Sequence, residues 1–386
     1  MRRLPLVLLL VLLPAALPAA ADAKVRKAPS GDAFYSPPSP LPAGNHGSLI
    51  WARKLTGRAA LRGGSGNRLL LYRSTGVTGK PVAVSGTLAV PKGRAPVGGW
   101  PLISWAHGTT GIADRCAPSR GSGAAPALLE RWLKAGYAVV RTDYEGLGTP
   151  GDHPYLIGRS EGYATLDAAR AARRADKRLS RRVVLAGHSQ GGHAALWAAS
   201  LAPRFAPELG VRGTVAFAPA SHIGEQAALL PNLTQPGGLS GLVATILRGI
   251  DVARPDLGVA AGLSDRAAPL YPQTLTECTG TLAGPGSFGA LAPAEVIRAG
   301  ADSSAVLAAL GEQDPEDLRI RTPVRVQQGT EDTTVFKAFT DPLVADYRKR
   351  GIRVTYKTYA GVDHGSVVTS PRSARDATAY IRSRLR

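Results

Sequence analysis

The stretch "VVLAGHSQGG", Val183 to Gly192, places Ser189 in a Gly-x-Ser-x-Gly string. A serine hydroxyl becomes a nucleophile only when a base removes its proton, and the base needs an acid to hold its tautomer. The string alone is weak, because glycine and serine are common here. Its setting is informative: "RRVVLA" before it reads as an apolar strand and "HAALWAASLA" after it as a helix. Ser189 therefore falls on the sharp strand-to-helix turn that a nucleophile elbow requires. Glycine is expected at 187 and 191, where the backbone is strained and neighbouring chain comes close.

The elements that must position such a serine can be read along the chain. After a proline-rich arm, "SGDAFYSPPSPLPAGNHGS", strand-like runs occupy Leu49 to Leu55, Arg68 to Arg73, Val82 to Val90, Leu102 to Trp105 and Ala138 to Thr142. The series continues with 183–186, 215–217, 324–328 and 354–359. Helical patterns separate them from residue 102 onward: Ala124 to Ala135, Gly162 to Ala175, His193 to Leu201 and Pro342 to Arg350. Strands alternating with helices imply a mostly parallel sheet with helices on both faces, and the short early turns imply an antiparallel edge. This is the α/β-hydrolase layout. Between Ser221 and about Leu318 the strand rhythm stops and Leu, Ala, Gly and Pro dominate. The expected organisation is a core of 24–221 and 319–386 with a helical cap inserted at 222–318. An apolar cap would suit acyl chains.

In this fold the acid and the histidine follow the serine in that order. Of seven histidines only His364 lies beyond residue 222, in "YAGVDHGSV" after the last predicted strand. Asp332, in "VRVQQGTEDTTV", follows the preceding strand and is the expected acid; Glu331 and then Asp363 are the alternatives. The oxyanion of a tetrahedral intermediate needs backbone donors. One is expected from Gln190 and the other from Thr109 or Thr110 in "AHGTTG". His107, His188 and His193 are read as structural.

Met1, Arg2 and Arg3 precede "LPLVLLLVLLPAAL" and a run of small residues, the pattern of a secretory signal peptide over 1–23, with cleavage after Ala21 or Ala23. The apolar run is shorter than the roughly 20 residues that span a bilayer. Export makes one disulfide between Cys116 and Cys278 the default expectation. With both thiols used, cysteine catalysis and a zinc cluster are disfavoured. The chain carries a formal charge of +19, with one dense run, "ARAARRADKRLSRR" at 169–182. Its arginines recur at helical spacing toward a helix C-terminus and read as a solvated face. A positive balance permits contact with an anionic surface or lipid interface, but no nucleic-acid signature accompanies it. "GLGTPG" at 146–151 matches a dinucleotide-binding string, yet Pro150 and "DHPY" do not open a helix, so the segment reads as a turn.

Four segments together, "SWAHGTTGIADRCAPS", "TDYEGLGTPGDHPY", "GHSQGGHAALWAA" and "DHGS", resemble the secretory lipase family of α/β-hydrolases, the lipase A type. The likeness extends over nearly the whole chain after the leader, including "FYSPPSPLP" and "VAVSGTLAVP". It implies triad roles for Ser189, Asp332 and His364, a cap, a Cys116 to Cys278 bridge, and action on carboxylic esters including acylglycerols. Such a reaction needs no cofactor or metal. The resulting expectation is a secreted, monomeric serine hydrolase of lipid esters. A short-chain or aryl esterase or a peptidase on the same fold is the first alternative, although no pocket for a peptide terminus is visible. A non-catalytic basic surface-binding protein is the alternative from another class.

Overall fold

The computed structural model describes residues 25–121 and 125–386. The leader at 1–23 lies outside the described residues, as does Ala124. Among the described residues nine strands form one sheet, in the order β1-β2-β3-β5-β4-β6-β7-β8-β9. They are β1 (Leu49–Lys54), β2 (Gly64–Thr75), β3 (Pro81–Pro91), β4 (Trp100–Ala106), β5 (Ala138–Thr142), β6 (Leu179–His188), β7 (Gly210–Phe217), β8 (Val324–Gly329) and β9 (Val354–Tyr359). The pairs from β1 through β3 to β5 are antiparallel, and every other pair is parallel. The antiparallel edge and the parallel body match the sequence reading. β4 and β5 are buried along their whole lengths, as strands covered on both faces must be.

Helices α1 (Pro126–Lys134), α2 (Gly158–Ala175) and α3 (Gln190–Phe205) follow β4, β5 and β6. After β7 come α4 (Ile223–Ala228), α5 (Leu239–Ala253), α6 (Thr279–Leu282) and α7 (Ser304–Gly311), and after β8 come α8 (Lys337–Lys349), α9 (Ser366–Thr369) and α10 (Pro371–Leu385). One face of the sheet packs alanines of α2 and α3 with Leu343, Val344 and Tyr347 of α8. The other packs Leu129 and Trp132 of α1 with Val367 of α9 and Ile381 of α10. Gly162 lets α2 approach α3 closely: a Cβ there would lie 3.1 Å from the Ala198 nitrogen.

The segment between β7 and β8 has its own apolar cluster, with Leu247 and Ile250 of α5 packed among Tyr271, Leu282 and Phe288. Ile112, Tyr155, Leu156 and Ile157 join that cluster from the loops after β4 and β5, so the segment rests on the ends of the parallel strands. α5 runs for 15 residues, while much of the remainder is short 3-10 turns. Proline explains the shortness: Pro255, Pro269, Pro272 and Pro293 each stand in such a turn, fixing φ and removing an amide donor.

The expectation of a solvated arginine face on α2 is corrected at Arg170. That side chain turns inward, at 9% exposure. It pairs with Asp167 at 2.8 Å and Glu208 at 2.6 Å, and its guanidinium covers the Phe205 ring at 4.8 Å. One carboxylate is a helical neighbour and the other comes from the loop after α3, so the burial is set by tertiary partners.

Cys116 and Cys278 are bonded across 162 residues, joining the loop after β4 to the inserted segment. Gly111 bridges Cys278 in the backbone and the Thr279 amide donates to the Thr110 carbonyl at 3.1 Å, so the covalent tie and a short stretch of pairing coincide. Replacing both cysteines by alanine should cost about 4–5 kcal/mol by the chain-entropy relation for so long a loop. Urea unfolding of the double variant measures this; an unmoved midpoint would contradict it.

Candidate active site

Ser189 stands between the last residue of β6 and the first of α3, with φ 56° and ψ −121°. An L-residue held there stores roughly 1–3 kcal/mol of backbone strain, which the surroundings must over-determine. They do so through backbone bonds: the Ser189 amide donates to the Phe217 carbonyl at 2.9 Å, and its own carbonyl accepts from His193 at 3.0 Å. A Cβ at Gly187 would meet the Gly191 oxygen at 1.9 Å, and one at Gly191 would meet the Ala106 oxygen at 2.0 Å. No side chain fits at either position. The elbow also presses on β4, because Gly191 abuts its last residue.

Asp332 lies three residues beyond β8, and His364 lies five beyond β9. His364 Nδ1 is 2.8 Å from Asp332 Oδ2. Asp332 also accepts from Gln328 Nε2 at 3.0 Å and from the amides of Thr334 and Val335 at 2.9 and 2.8 Å. Burial opposes its ionisation, but the imidazole and the two amides outweigh burial and hold the carboxyl below its usual range. The other two acids lie apart: Glu331 accepts from Thr330 on the surface, and Asp363 caps the Ser366 amide at 2.7 Å. His364 reaches the elbow through His188. Their rings lie 4.6 Å apart, and His188 Nε2 donates to the His364 carbonyl at 2.8 Å. Burial pushes His188 down to about 3, with the neighbouring His364 adding to the shift, so His188 is neutral at physiological pH. The neutral His188 holds His364 in place by a hydrogen bond and ring packing alone.

The loop after β4 passes beside the serine. A Cβ at Gly108 would lie 3.0 Å from His188 Nδ1 and 3.6 Å from the Ser189 Cβ. Thr109 shares a 2.6 Å hydrogen bond with the Tyr155 hydroxyl, whereas the Thr110 carbonyl is taken by Thr279. His107 is a packed loop residue, as read from sequence: its ring lies 4.6 Å from Tyr144, and burial lowers its pKa. The segment "GLGTPG" is a turn, with positive φ at Gly146, Gly148 and Gly151 and no helix until Gly158.

Sequence reasoning missed the polar cluster behind the elbow. Glu161 of α2 is fully buried. Its carboxylate accepts from Gln190 Nε2 at 2.8 Å and the Leu156 amide at 3.0 Å, and faces His193 Nδ1 at 3.1 Å. His193 Nε2 faces the Gln313 carbonyl at 2.7 Å. Both nitrogens of that ring therefore meet acceptors; burial opposes the charge, but Glu161 prevails and raises the pKa. His153 is the opposite case. Its Nδ1 faces the Glu145 carbonyl and its Nε2 accepts from Gln190, while burial pushes it down to about 4. The clue in the sequence was that two histidines flank the elbow and require partners. Their identities depend on chain crossings that no local pattern reports.

Gln313 belongs to the return of the inserted segment, and so do two acids. Asp314 accepts from the amides of Ile223 and Gly224, and Glu316 from the His222 amide at 2.6 Å. The departing and returning segments of the insertion are thus clamped to each other. Burial pushes Asp314 up to about 6 and Glu316 up to about 7.

With strand order and elbow in view, the fold is that of an α/β-hydrolase. It is similar to the X-ray structure of Candida antarctica lipase A, with a TM-score of 0.74 over 90% of this chain and 86% of that one at 21% identity. Residues 122–282 match the family model described as Secretory lipase, and the segments "TDYEGLGTPGDHPY" and "GHSQGGHAALWAA" that carried the resemblance fall within that stretch. Among curated proteins the chain is 30% identical over 245 residues to Lipase A of Moesziomyces aphidis, covering 59% of this chain and 50% of the relative. It is 29% identical over 269 residues to a Mycobacterium tuberculosis protein named "Probable inactive lipase", covering 65% and 58%. The chain spans about half the length of the curated relatives it matches.

Glu161→Gln should destabilise the protein by about 3–5 kcal/mol, because it leaves His193 buried opposite a neutral amide. His193 has a raised folded pKa, so the wild type should keep this contribution at low pH and lose it as pH rises through that value. Urea unfolding of both proteins across pH tests the pair; equal stability just below the ordinary imidazole pKa of about 6.5, where the contribution is fully present, would contradict the assignment.

Proposed function

We propose that the protein is a serine hydrolase of carboxylic esters whose nucleophile is Ser189, with His364 as base and Asp332 as its orienting acid. One observation carries this reading: the 2.8 Å contact between Asp332 and His364 sits beside His188, the residue preceding a serine held at φ 56°. Three elements distant in sequence converge there in the order this fold uses.

In the proposed reaction His364 takes the hydroxyl proton as Ser189 Oγ attacks the ester carbonyl carbon. Amides of Gln190 and the loop after β4 hold the oxyanion. Thr109 is favoured over Thr110 as the loop donor, since Gly108 abuts Ser189 and Thr110 is drawn toward the inserted segment. The intermediate collapses, the carbon–alkoxide bond breaks, and the leaving alcohol takes the proton from His364. Water, activated by the same imidazole, then attacks the acyl-enzyme and releases the acid. Asp332 remains ionised throughout and stabilises the imidazolium.

Lipid esters are the proposed substrates, with segment 222–318 serving as a cap that shelters the acyl chain. The apolar cluster in that segment supports the reading, as do the names of the relatives, among them a secreted triacylglycerol lipase of Malassezia globosa. Export through the leader 1–23, with cleavage after Ala21 or Ala23, belongs to the same proposal.

The test is hydrolysis of para-nitrophenyl esters from acetyl to palmitoyl by wild type and Ser189→Ala. Loss of kcat by about four to six orders of magnitude is expected in the variant. A rate optimum at long acyl chains supports lipid esters, and one at acetyl would replace them with short-chain esters. Wild-type turnover no faster than that of Ser189→Ala would overturn the enzymatic reading and favour the non-catalytic state in the name of the Mycobacterium relative.

A further inference from the structure

The arginine run at 169–182 has no part in ester hydrolysis. At the C-terminal end of α2 it lines a cavity of about 370 Å³ with Arg170, Arg173, Arg174 and Lys177, against the one carboxylate of Glu208. Arg170 already engages both oxygens of Glu208, at 2.6 and 3.2 Å. Arg173 Nε is buried and has no hydrogen-bond partner. A buried guanidinium nitrogen without an acceptor is costly, which leaves this arginine short of compensation for its charge. Burial disfavours the charged form of Arg173 and Arg181 adds repulsion; Glu208 opposes both, and Arg174 repels in turn.

The opposite wall comes from the arm before β1. Asn45 and His46 face the arginines. His46 packs on Phe205 at 4.7 Å and shares a 3.1 Å hydrogen bond with Thr75, which fixes this wall to the core. Burial, then Arg170 and Arg73, lower its pKa, so at neutral pH it contributes polarity without charge.

We propose that this cavity is an oxyanion-binding site that takes a phosphate group carried on a soluble ligand. Guanidinium groups present forks of N–H donors that match phosphate oxygens, and an exposed lysine adds a mobile charge at the opening. The volume exceeds what a single oxyanion fills and leaves room for the group bearing it. Position decides between a soluble carrier and a membrane headgroup. The cavity includes Leu179, the first residue of β6, whereas Ser189 follows the last. Ten residues of strand separate the two ends by about 30 Å. A membrane bound at the arginines would leave Ser189 facing away from it.

The experiment titrates the mature protein with inorganic phosphate at constant ionic strength set by chloride, followed by calorimetry and thermal unfolding. Arg173→Gln and Lys177→Gln are compared with wild type, and ester hydrolysis serves as the check on folding. Expected results are one-to-one phosphate binding, a rise in Tm, weakening of about ten-fold in each variant from the lost charge-assisted bonds, and unchanged hydrolysis. Absence of binding beyond the chloride control would overturn the proposal, as would binding that neither variant weakens. Sedimentation with phosphatidylglycerol vesicles forms the second arm. Vesicle binding that both variants abolish would overturn the soluble carrier and assign the arginines to a lipid headgroup.

Discussion

The reversal of the chain at Ser189 is the constraint on which the rest depends. A strand must end and a helix begin within one residue, at a backbone conformation that L-residues resist. Two glycines make this sterically possible, and three neighbouring strands make it compulsory. β4 touches the turn through Ala106, β7 accepts its amide through Phe217, and β6 leads into it. The buried parallel core is therefore the device that holds one hydroxyl in a strained conformation at the C-terminal end of a central strand.

The same end of the parallel strands gathers the other groups. Loops after β8 and β9 bring Asp332 and His364 together, and the loop after β4 passes the serine at Gly108. Charge is managed by pairing. Asp332 has four hydrogen-bond donors, and the buried Glu161 has its carboxylate surrounded by Gln190, Leu156 and His193. His188 and His153 are kept neutral by burial, so positive charge does not accumulate around the serine. Gln313 couples this cluster to the inserted segment, which the disulfide also ties to the loop after β4.

Period and punctuation made much of the sheet legible. β5 and β9 fall on the residues anticipated, and the chain order of serine, acid and histidine singled out His364 because only one histidine lies late in the sequence. Boundaries were less legible where partners decide them. β2 starts at Gly64 instead of Arg68, since pairing with β3 carries it on to Pro91. α8 begins at Lys337, ahead of the proline at 342 that suggested a helix start. Glu161, His153 and Gln313 were invisible as site residues: each is an ordinary polar residue until the fold places it against Gln190 or His193. Arg170 was misjudged for the same reason, because Glu208 is distant in sequence.

The central claim is that Ser189 is the activated nucleophile, and an active-site-directed fluorophosphonate tests it most directly. Incubation with the mature protein, followed by mass spectrometry of the digested adduct, should find one phosphonyl group per chain, on the peptide containing Ser189. Labelling should fall away when His364 is replaced by alanine, since the base would be gone while the serine remains. Absence of an adduct, or an adduct on another serine, would contradict the account and remove Ser189 from the chemistry.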